Sequence, residues 1–370
     1  MLYLTLEEKN RAMRLYREAF PEDSEAFITY YEREVLPRNA VLVQMEGKQV
    51  VSMIHLNPYR MRVFAHTFET VYLVAIATSM QKRRMGYMRR LMGQVLLDLQ
   101  KQNVPFCFLQ PANPDYYTPF GFAYVSRYEK RILPDDCTMQ EISDWKQNEH
   151  LFAKGYPLVK ITQHVKALSD QQKEQITLFL QNYMKENYDV YCLRDAAYMH
   201  RFFEELMSEN GAVTLVYDKQ DGTDKLIGVI CEWGNEKREE RCRYILPQYC
   251  KTCKSEKPYM MARIANLKAC LCMLKLQDTS NKQSLTIYLS VTDEVLSENT
   301  GLFKWRLTKE TSELCRQSEC DINQIVPQNC VALSIAQLTG FVFGYYIPER
   351  LKEIANDITL LSAVLLDEVV

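Results

Sequence analysis

The central part of the chain combines short apolar runs with one periodic segment. Residues 71–78 (VYLVAIAT) and 104–110 (VPFCFLQ) are short and rich in β-branched or aromatic side chains, which is typical of buried strands. In residues 87–101 the apolar side chains recur at steps of three and four, which places them on one helix face. The pattern therefore predicts strand, turn, helix and strand between residues 71 and 110.

The turn before the predicted helix is basic and contains a glycine. Lys82, Arg83 and Arg84 precede Gly86, and a glycine lets the backbone approach a ligand closely. The start of a helix exposes unpaired N–H groups and the positive end of the helix dipole, so it favours phosphate groups. The sequence contains neither a Walker loop nor a G-x-G-x-x-G fingerprint. We expect a pyrophosphate site of another class.

The order of elements around this unit occurs twice. The first copy has helices at 7–20 and 24–36 and strands at 40–45, 50–64, 67–78 and 123–133. After a polar stretch at 134–156, the second has helices at 169–188 and 193–208 and strands at 212–217, 226–233 and 241–246. Residues 247–252 (PQYCKT) replace the basic turn and contain no glycine. The second copy is predicted to shape a substrate cleft or an interface.

The last part of the chain predicts a third unit that mixes helices and strands. It begins at 260–264, with helices at 267–276, 330–338 and 347–355 and strands at 284–291 and 302–307. The helix at 330–338 is predicted to stop at Gly340. The whole chain therefore falls in the α+β class.

Length and charge restrict the classes of function. A chain of 370 residues predicts two or three domains. A net charge of −2 gives no global field that would attract nucleic acid or an acidic membrane. The first residues resemble no signal peptide, and no apolar run is long enough to span a bilayer. We expect a cytoplasmic protein without a nucleic-acid or membrane partner.

The twelve cysteines are predicted to be reduced and mostly buried. Cys250 and Cys253 have metal-ligand spacing, and Cys270 and Cys272 follow. A zinc ribbon would need a second C-x-x-C pair. No metal is therefore expected, and a structural zinc is the weaker alternative.

Two motifs carry a resemblance to a known superfamily. The segment Arg83-Arg84-Met85-Gly86-Tyr87-Met88 resembles motif A, [QR]-x-x-G-x-[GA], of the GNAT N-acetyltransferases, with Met88 in place of the final small residue. The segment Tyr117-Thr118-Pro119-Phe120-Gly121-Phe122 resembles the Tyr-x-x-Phe-Gly-Phe signature of that superfamily. The resemblance implies acyl-CoA binding. The competing interpretation is a plain strand–helix–strand unit with a solvated basic turn.

Over its full length the chain resembles the Eis-like (enhanced intracellular survival) acetyltransferases. The later motifs are Met261-Ala262-Arg263-Ile264 and Val291-Thr292-Asp293 through Glu298-Asn299. The resemblance implies tandem GNAT folds at 1–145 and 146–257, of which the second is degenerate, and a sterol-carrier-protein-like domain at 258–370. It also implies acetyl-CoA-dependent acetylation of amines on aminoglycosides or lysine side chains, and a homo-oligomer, commonly a hexamer.

The family roles transfer to individual residues of this sequence. Those implied to bind acetyl-CoA are Ile76, Ala77, Thr78, Arg83, Arg84, Met85, Gly86, Tyr87, Met88, Arg89, Ala112 and Asn113. Tyr117 matches the general acid, with Tyr116 as its rival. The terminal carboxylate, here that of Val370, matches the base. Glu69 or water is the alternative base.

The reaction itself sets chemical requirements, but it leaves the acceptor open. An amine attacks a thioester only when neutral, so a base must take its proton. Asp367 and Glu368 either line an acidic cleft for a polycation or are merely solvated. Aminoglycoside, polyamine and lysine remain as acceptors. The alternative function is an acyl-CoA-sensing or lipid-binding scaffold without turnover.

Overall fold

A computed structural model describes residues 1–136, 158–219, 224–235, 237–317 and 330–369. The strands are β1 (Leu2–Tyr3), β2 (Ala40–Glu46), β3 (Gln49–Val63), β4 (His66–Thr78), β5 (Phe106–Leu109), β6 (Ala123–Tyr124), β7 (Arg127–Ile132), β8 (Leu158–His164), β9 (Val190–Cys192), β10 (Ala212–Asp218), β11 (Lys225–Trp233), β12 (Glu239–Ile245), β13 (Lys251–Pro258), β14 (Met261–Ile264), β15 (Leu285–Thr292), β16 (Gly301–Leu307), β17 (Ser312–Arg316), β18 (Cys330–Ser334) and β19 (Val364–Leu365). The α-helices are α1 (Asn10–Ala19), α2 (Glu25–Tyr30), α3 (Tyr87–Lys101), α4 (Asp170–Asn187), α5 (Ala196–Ser208), α6 (Leu267–Leu271), α7 (Ile335–Val342) and α8 (Lys352–Ala355).

The largest sheet combines strands from all three predicted domains. Its order is β1-β2-β3-β4-β5-β14-β6, with β9 joined to β3 and β19 joined to β9. Helix α3 packs on it with the apolar face that its periodicity predicted, and Leu91, Met92, Val95 and Leu96 are fully buried. Each such side chain contributes roughly 1.5–3 kcal/mol to folding. The strand–turn–helix–strand unit is therefore confirmed.

Two smaller sheets and one strand pair complete the fold, and the α+β class is confirmed. The second sheet has the order β12-β11-β10-β8, the third β17-β16-β15-β18, and β13 pairs with β7. After β12 the chain passes through the short turn Pro247–Tyr249 directly into β13. None of the helices in the described ranges combines the length and the apolar character that a bilayer-spanning segment needs.

Several predicted elements are wrong, two of them in the last part of the chain and one in the first predicted domain. Residues 330–334 form β18, parallel to β15, and the helix begins only after Ser334 and passes through Gly340. Ser334 and Gln337 form a reciprocal capping box that marks this start. The helix predicted at 267–276 ends at Leu271. The strand predicted at 123–133 is divided, and between its two parts the Val125 N–H donates to the Met260 carbonyl at 2.9 Å.

Gly121 lies where no side chain fits. Its φ is +82°, and an added Cβ would lie 2.6 Å from Cγ2 of Ile335. Gly121→Ala is expected to lower the free energy of unfolding by about 2–4 kcal/mol, because strain and overpacking act together. As a control, Gly93→Ala in α3 meets no atom within 4 Å and should raise that free energy by about 0.5–1 kcal/mol. Urea unfolding measures both, and an unchanged midpoint for Gly121→Ala would contradict the prediction.

Candidate active site

Strand β4 carries a bulge near its C-terminal end. Between the pairs Met53–Ala77 and His55–Val74, β3 contributes one residue and β4 contributes two, Ala75 and Ile76. Ala75 has φ +50°. A bulge takes backbone groups out of the ladder and is frequent beside active sites. The backbone of β4 is therefore irregular where the thioester contact is expected.

A gap opens beside this bulge. Strands β4 and β5 lie wholly within the described range 1–136 and share a single ladder pair, Tyr72 with Phe108. On its other side β5 pairs with β14 along its full length. Ser52 Oγ fixes the end of β4 by donating to the Ala77 carbonyl at 3.0 Å. The space beyond Tyr72 is thus bordered by fixed strands and can accept an extended ligand.

The basic turn forms an uncapped helix start. Arg84 has φ +64° and Gly86 has φ +75°. A left-handed conformation at a residue other than glycine costs on the order of 1–3 kcal/mol and is concentrated at functional sites. Helix α3 has no side-chain cap within this described part of the chain, so its first N–H groups are available to an anion.

The arginines around this turn are available as well. Among the described residues, Arg83, Arg84 and Arg89 form no ion pair, whereas the adjacent Lys82 pairs with Glu46 at 2.5 Å. The Arg83 Nε donates to the Thr78 carbonyl at 3.3 Å, which connects the turn to the end of β4. Unpaired guanidinium groups beside a helix start favour pyrophosphate.

The loop that contains Tyr117 faces the same turn. The guanidinium of Arg89 lies 6.0 Å from the centre of the Phe120 ring. Asn113 caps the turn Pro114–Tyr116 by accepting from the Asp115 N–H at 2.9 Å, and Ala112 beside it is exposed. Loop and helix start therefore approach each other across the gap.

Tyr117 differs sharply from its neighbour. Tyr117 is 7% exposed, whereas Tyr116 is 58% exposed. Burial, and then the neighbouring Tyr116, raise the pKa of Tyr117. The phenol is therefore protonated at neutral pH and carries a proton, and burial makes it a weaker acid than an exposed tyrosine.

A buried ion pair supports this loop from the third predicted domain. Arg263 Nε donates to the Phe120 carbonyl at 3.0 Å, and its Nη2 lies 2.7 Å from both carboxylate oxygens of Asp293. Arg263 and Asp293 belong to the two motifs that carried the full-length resemblance. Their place in the fold makes them a support for the Tyr117 loop.

The C-terminal tail returns to the first sheet. Strand β19 lies parallel to β9, which pairs with β3. Val369 is partly buried against the apolar cluster that includes Ala75 and Ala77. Val370 lies outside the described residues. The last described residue thus packs on the cluster that contains the β4 bulge.

Two arginines hold this tail, and we call Arg194 and Arg241 the tail clamp. Arg194 donates to the carboxylates of Asp367 at 2.6 Å and Glu368 at 2.9 Å. Arg241 Nη1 donates to the Asp367 carbonyl at 2.9 Å. Local sequence patterns gave no signal for either arginine, since each acts on residues more than 100 positions later.

The surroundings of the two tail carboxylates affect their ionisation in opposite directions. Burial opposes ionisation of Asp367, but Arg194 and Arg241 outweigh it and hold the pKa of Asp367 below its usual range. Burial and the charge of Asp367 raise the pKa of Glu368. Both carboxylates are internal ion-pair partners, so neither an acidic cleft nor a solvated pair describes them. That expectation was wrong.

Glu69 lies far along β4 from Ile76, where the thioester contact is expected. It is exposed and stands seven residues before Ile76 in the same strand. At a rise of about 3.3 Å per residue the two lie roughly 23 Å apart. A proton transfer needs hydrogen-bond distance or one water.

Cys250 and Cys270, two of the cysteines considered for a zinc site, lie in separate parts of the core. Cys250 belongs to a small cluster around Leu133, whereas Cys270 belongs to the main core. In the described ranges no three His, Cys, Asp or Glu side chains converge in an arrangement that would hold a metal ion.

Comparisons with known proteins agree with this geometry. Residues 2–125 match the acetyltransferase (GNAT) domain, and residues 267–360 match the sterol carrier protein domain. The chain therefore contains a GNAT acetyltransferase domain. Its particular form joins that domain to a C-terminal sterol carrier protein domain. A search of curated protein sequences gives no significant match.

Solved structures share this fold along nearly the whole chain. A conserved protein of unknown function from Enterococcus faecalis V583 is 15% identical with a TM-score of 0.70, covering 98% of this chain and 93% of that one. A GCN5-related N-acetyltransferase from Anabaena variabilis is 15% identical with a TM-score of 0.67, covering 97% and 94%. Eis1 from Mycobacterium abscessus is 12% identical with a TM-score of 0.64, covering 97% and 93%. At these identities the similarity establishes the fold alone.

Proposed function

We propose that this acetyltransferase moves an acetyl group from acetyl-CoA to the primary amine of a cationic acceptor, such as an aminoglycoside, a polyamine or a lysine side chain. The observation that carries the proposal is the convergence of four features. The uncapped start of α3, the β4 bulge, the Tyr117 loop and the C-terminal tail surround one end of the first sheet.

The residues of this region fit acetyl-CoA. The backbone of Ile76, Ala77 and Thr78 would contact the pantetheine arm and the thioester. The residues that would hold the pyrophosphate are Arg83, Arg84, Met85, Gly86, Tyr87, Met88 and Arg89. Ala112 and Asn113 would contact the cofactor from the loop after β5. The unpaired arginines and the uncapped helix start supply the positive charge that a pyrophosphate requires.

The acid and the base come from opposite ends of the chain. The terminal carboxylate of Val370 would take the proton of the attacking amine, directly or through water. The Ile76 N–H would stabilise the oxyanion, a contribution of about 3 kcal/mol for one such donor. Tyr117 would then protonate the leaving thiolate. The position of Tyr117 in the loop that faces the start of α3, and the packing of Val369 against the apolar cluster that includes Ala75 and Ala77, support these roles.

Assembly and domain limits stay predictions from the resemblance. The predicted domains are 1–145, 146–257 and 258–370. The predicted assembly is a homo-oligomer, commonly a hexamer. Light scattering of the intact protein after gel filtration measures the assembly directly.

A thiol-release assay tests the proposed function. Acetyl-CoA is incubated with the protein and with an aminoglycoside, spermidine or a lysine peptide, and free CoA is measured. CoA release that depends on the presence of one of these acceptors supports the proposed acetyl transfer. Acetyl-CoA binding without release with any amine would favour the acyl-CoA-sensing scaffold.

Tyr117→Phe is expected to lower kcat about 100-fold with the best acceptor, because general-acid catalysis contributes ~10²–10⁴. The binding of acetyl-CoA should not change. Tyr116→Phe is the matched control, since Tyr116 is adjacent but exposed, and it should keep kcat within about threefold. Equal losses in both variants would contradict the assignment of the acid.

A further inference from the structure

A cavity of about 140 Å³ lies where the three predicted domains meet. Its walls come from β7 of the first predicted domain, from Tyr188 and β12 of the second, and from residues 364–367 of the C-terminal tail. It is several times the ~30 Å³ volume of a water molecule. Asp367 lines it, two residues before Val369, whose side chain packs against the apolar cluster that includes Ala75 and Ala77. It is therefore a candidate binding site for the acceptor.

The charge of the cavity does not suit a pure polycation. Four arginines line it, against three carboxylates. Three of these arginines have carboxylate partners: Arg127 pairs with Glu256, Arg241 with Glu205, and Arg243 with Asp136 and Glu240. The fourth is Arg131.

Arg131 is a buried cation with neutral partners. It is 8% exposed, and its guanidinium donates to Tyr188 Oη at 3.1 Å and to Thr252 Oγ1 at 3.4 Å. Two further neighbours are the Tyr183 ring, 5.4 Å away, and the Cys250 thiol, whose pKa is raised by burial. No carboxylate in the described part of the chain pairs with it. A buried guanidinium without a counter-charge is unfavourable unless a ligand supplies one.

A hydroxyl group beside Arg131 lacks a hydrogen-bond partner within the described ranges. The hydroxyl of Tyr183 is buried and has no hydrogen-bond partner among the described residues. Buried polar groups without partners are rare in native proteins and are frequent where a ligand or water is bound. Tyr183 does not line the cavity itself, but its ring packs against the guanidinium of Arg131, which does.

We propose that this cavity binds an anionic group of the acceptor, a carboxylate or a phosphate, through Arg131 and Tyr188. The inference rests on the proposed acetyl transfer and refines its acceptor. The acceptor is then an amine that also carries an anionic group, for example a free amino acid or a phosphorylated amine. A purely cationic polyamine leaves Arg131 without its counter-charge.

Matched pairs of acceptors test this inference. Lysine is compared with cadaverine, which is lysine without its carboxylate, and O-phosphoethanolamine with ethanolamine. The intact protein is expected to favour the anionic member of one pair by about 10- to 100-fold in kcat/KM, because a charge-assisted hydrogen bond contributes a free energy of that size. The preferred pair distinguishes carboxylate from phosphate. Arg131→Gln should reduce that preference below about threefold, mainly through KM.

Two further variants separate the anion site from general charge effects. Arg127→Gln removes a guanidinium that Glu256 already pairs with, at 3.1 Å, and should keep most of the preference. Tyr188→Phe removes only the hydroxyl and should reduce the preference about three- to tenfold. Equal use of both members of each pair by the wild type, or an unchanged preference in Arg131→Gln, would overturn the inference.

A binding measurement distinguishes failure of this inference from failure of the proposed function. Calorimetry with inorganic phosphate at saturating CoA, which occupies the basic turn, should detect a site in the wild type that Arg131→Gln lacks. That result upholds the anion site even if every amine fails as an acceptor. Identical phosphate binding by both proteins would overturn the proposed anion site. Acetylation of any amine in that case would still support the proposed acetyl transfer.

Discussion

One glycine added after Val370 is expected to lower kcat for acetyl transfer about 1,000-fold. The extra residue moves the terminal carboxylate by roughly 3.5 Å and leaves the tail clamp in place. General bases contribute ~10²–10⁴ to catalysis, and small displacements of a catalytic group are costly. The thiol-release assay measures kcat, and calorimetry should find acetyl-CoA affinity unchanged.

Val370→Ala is the control for this extension. It keeps the carboxylate at the same backbone position and shortens only the side chain, so kcat should stay within about threefold. Full activity of the extended protein would assign the base to water or to another group. Equal losses in both proteins would indicate that packing of the side chain matters more than the carboxylate.

Arg194→Met is expected to lower the free energy of unfolding by about 3–5 kcal/mol, the usual cost of breaking a buried ion pair from one side. The change leaves Asp367 and Glu368 buried without their shared partner. Because the same contacts position the tail, kcat should also fall about 100-fold or more. Urea unfolding and hydrogen exchange of the tail residues measure the two effects.

A compensated variant separates stability from positioning. Arg194→Met combined with Asp367→Asn and Glu368→Gln removes the unpaired charges and should regain part of the lost stability. It should not regain activity, because Arg194 no longer holds the tail and only the bond from Arg241 to the Asp367 carbonyl remains of the clamp. Recovery of activity along with stability would mean that Arg194 acts on the fold alone.

The sequence predicted those parts of the site whose signals are local. The apolar periodicity of residues 87–101 predicted α3, and Arg84 and Gly86 occupy the left-handed positions before it. The motif at residues 117–122 indicated the loop that faces the start of α3. Each of these signals lies within a few residues of the structure it predicts, so no knowledge of distant partners was needed.

The remainder depends on contacts between distant parts of the chain. Strand β9 has three residues and β19 has two, too few for a pattern of alternation to appear. Arg194 is buried because the tail supplies its partners 173 and 174 positions later. The error at residues 330–338 has a different cause. Apolar spacing alone does not distinguish a short buried strand from a helix, and the capping box at Ser334 was the better signal.

The position of β14 has a consequence for how the protein is synthesised. Strands β5 and β6 are joined only through β14, and residues 261–264 leave the ribosome long after residue 124. Until then the nascent acetyltransferase domain exposes two unpaired strand edges, and such edges promote aggregation. The domain therefore completes its fold late in translation. A gene truncated before residue 261 should yield an insoluble product.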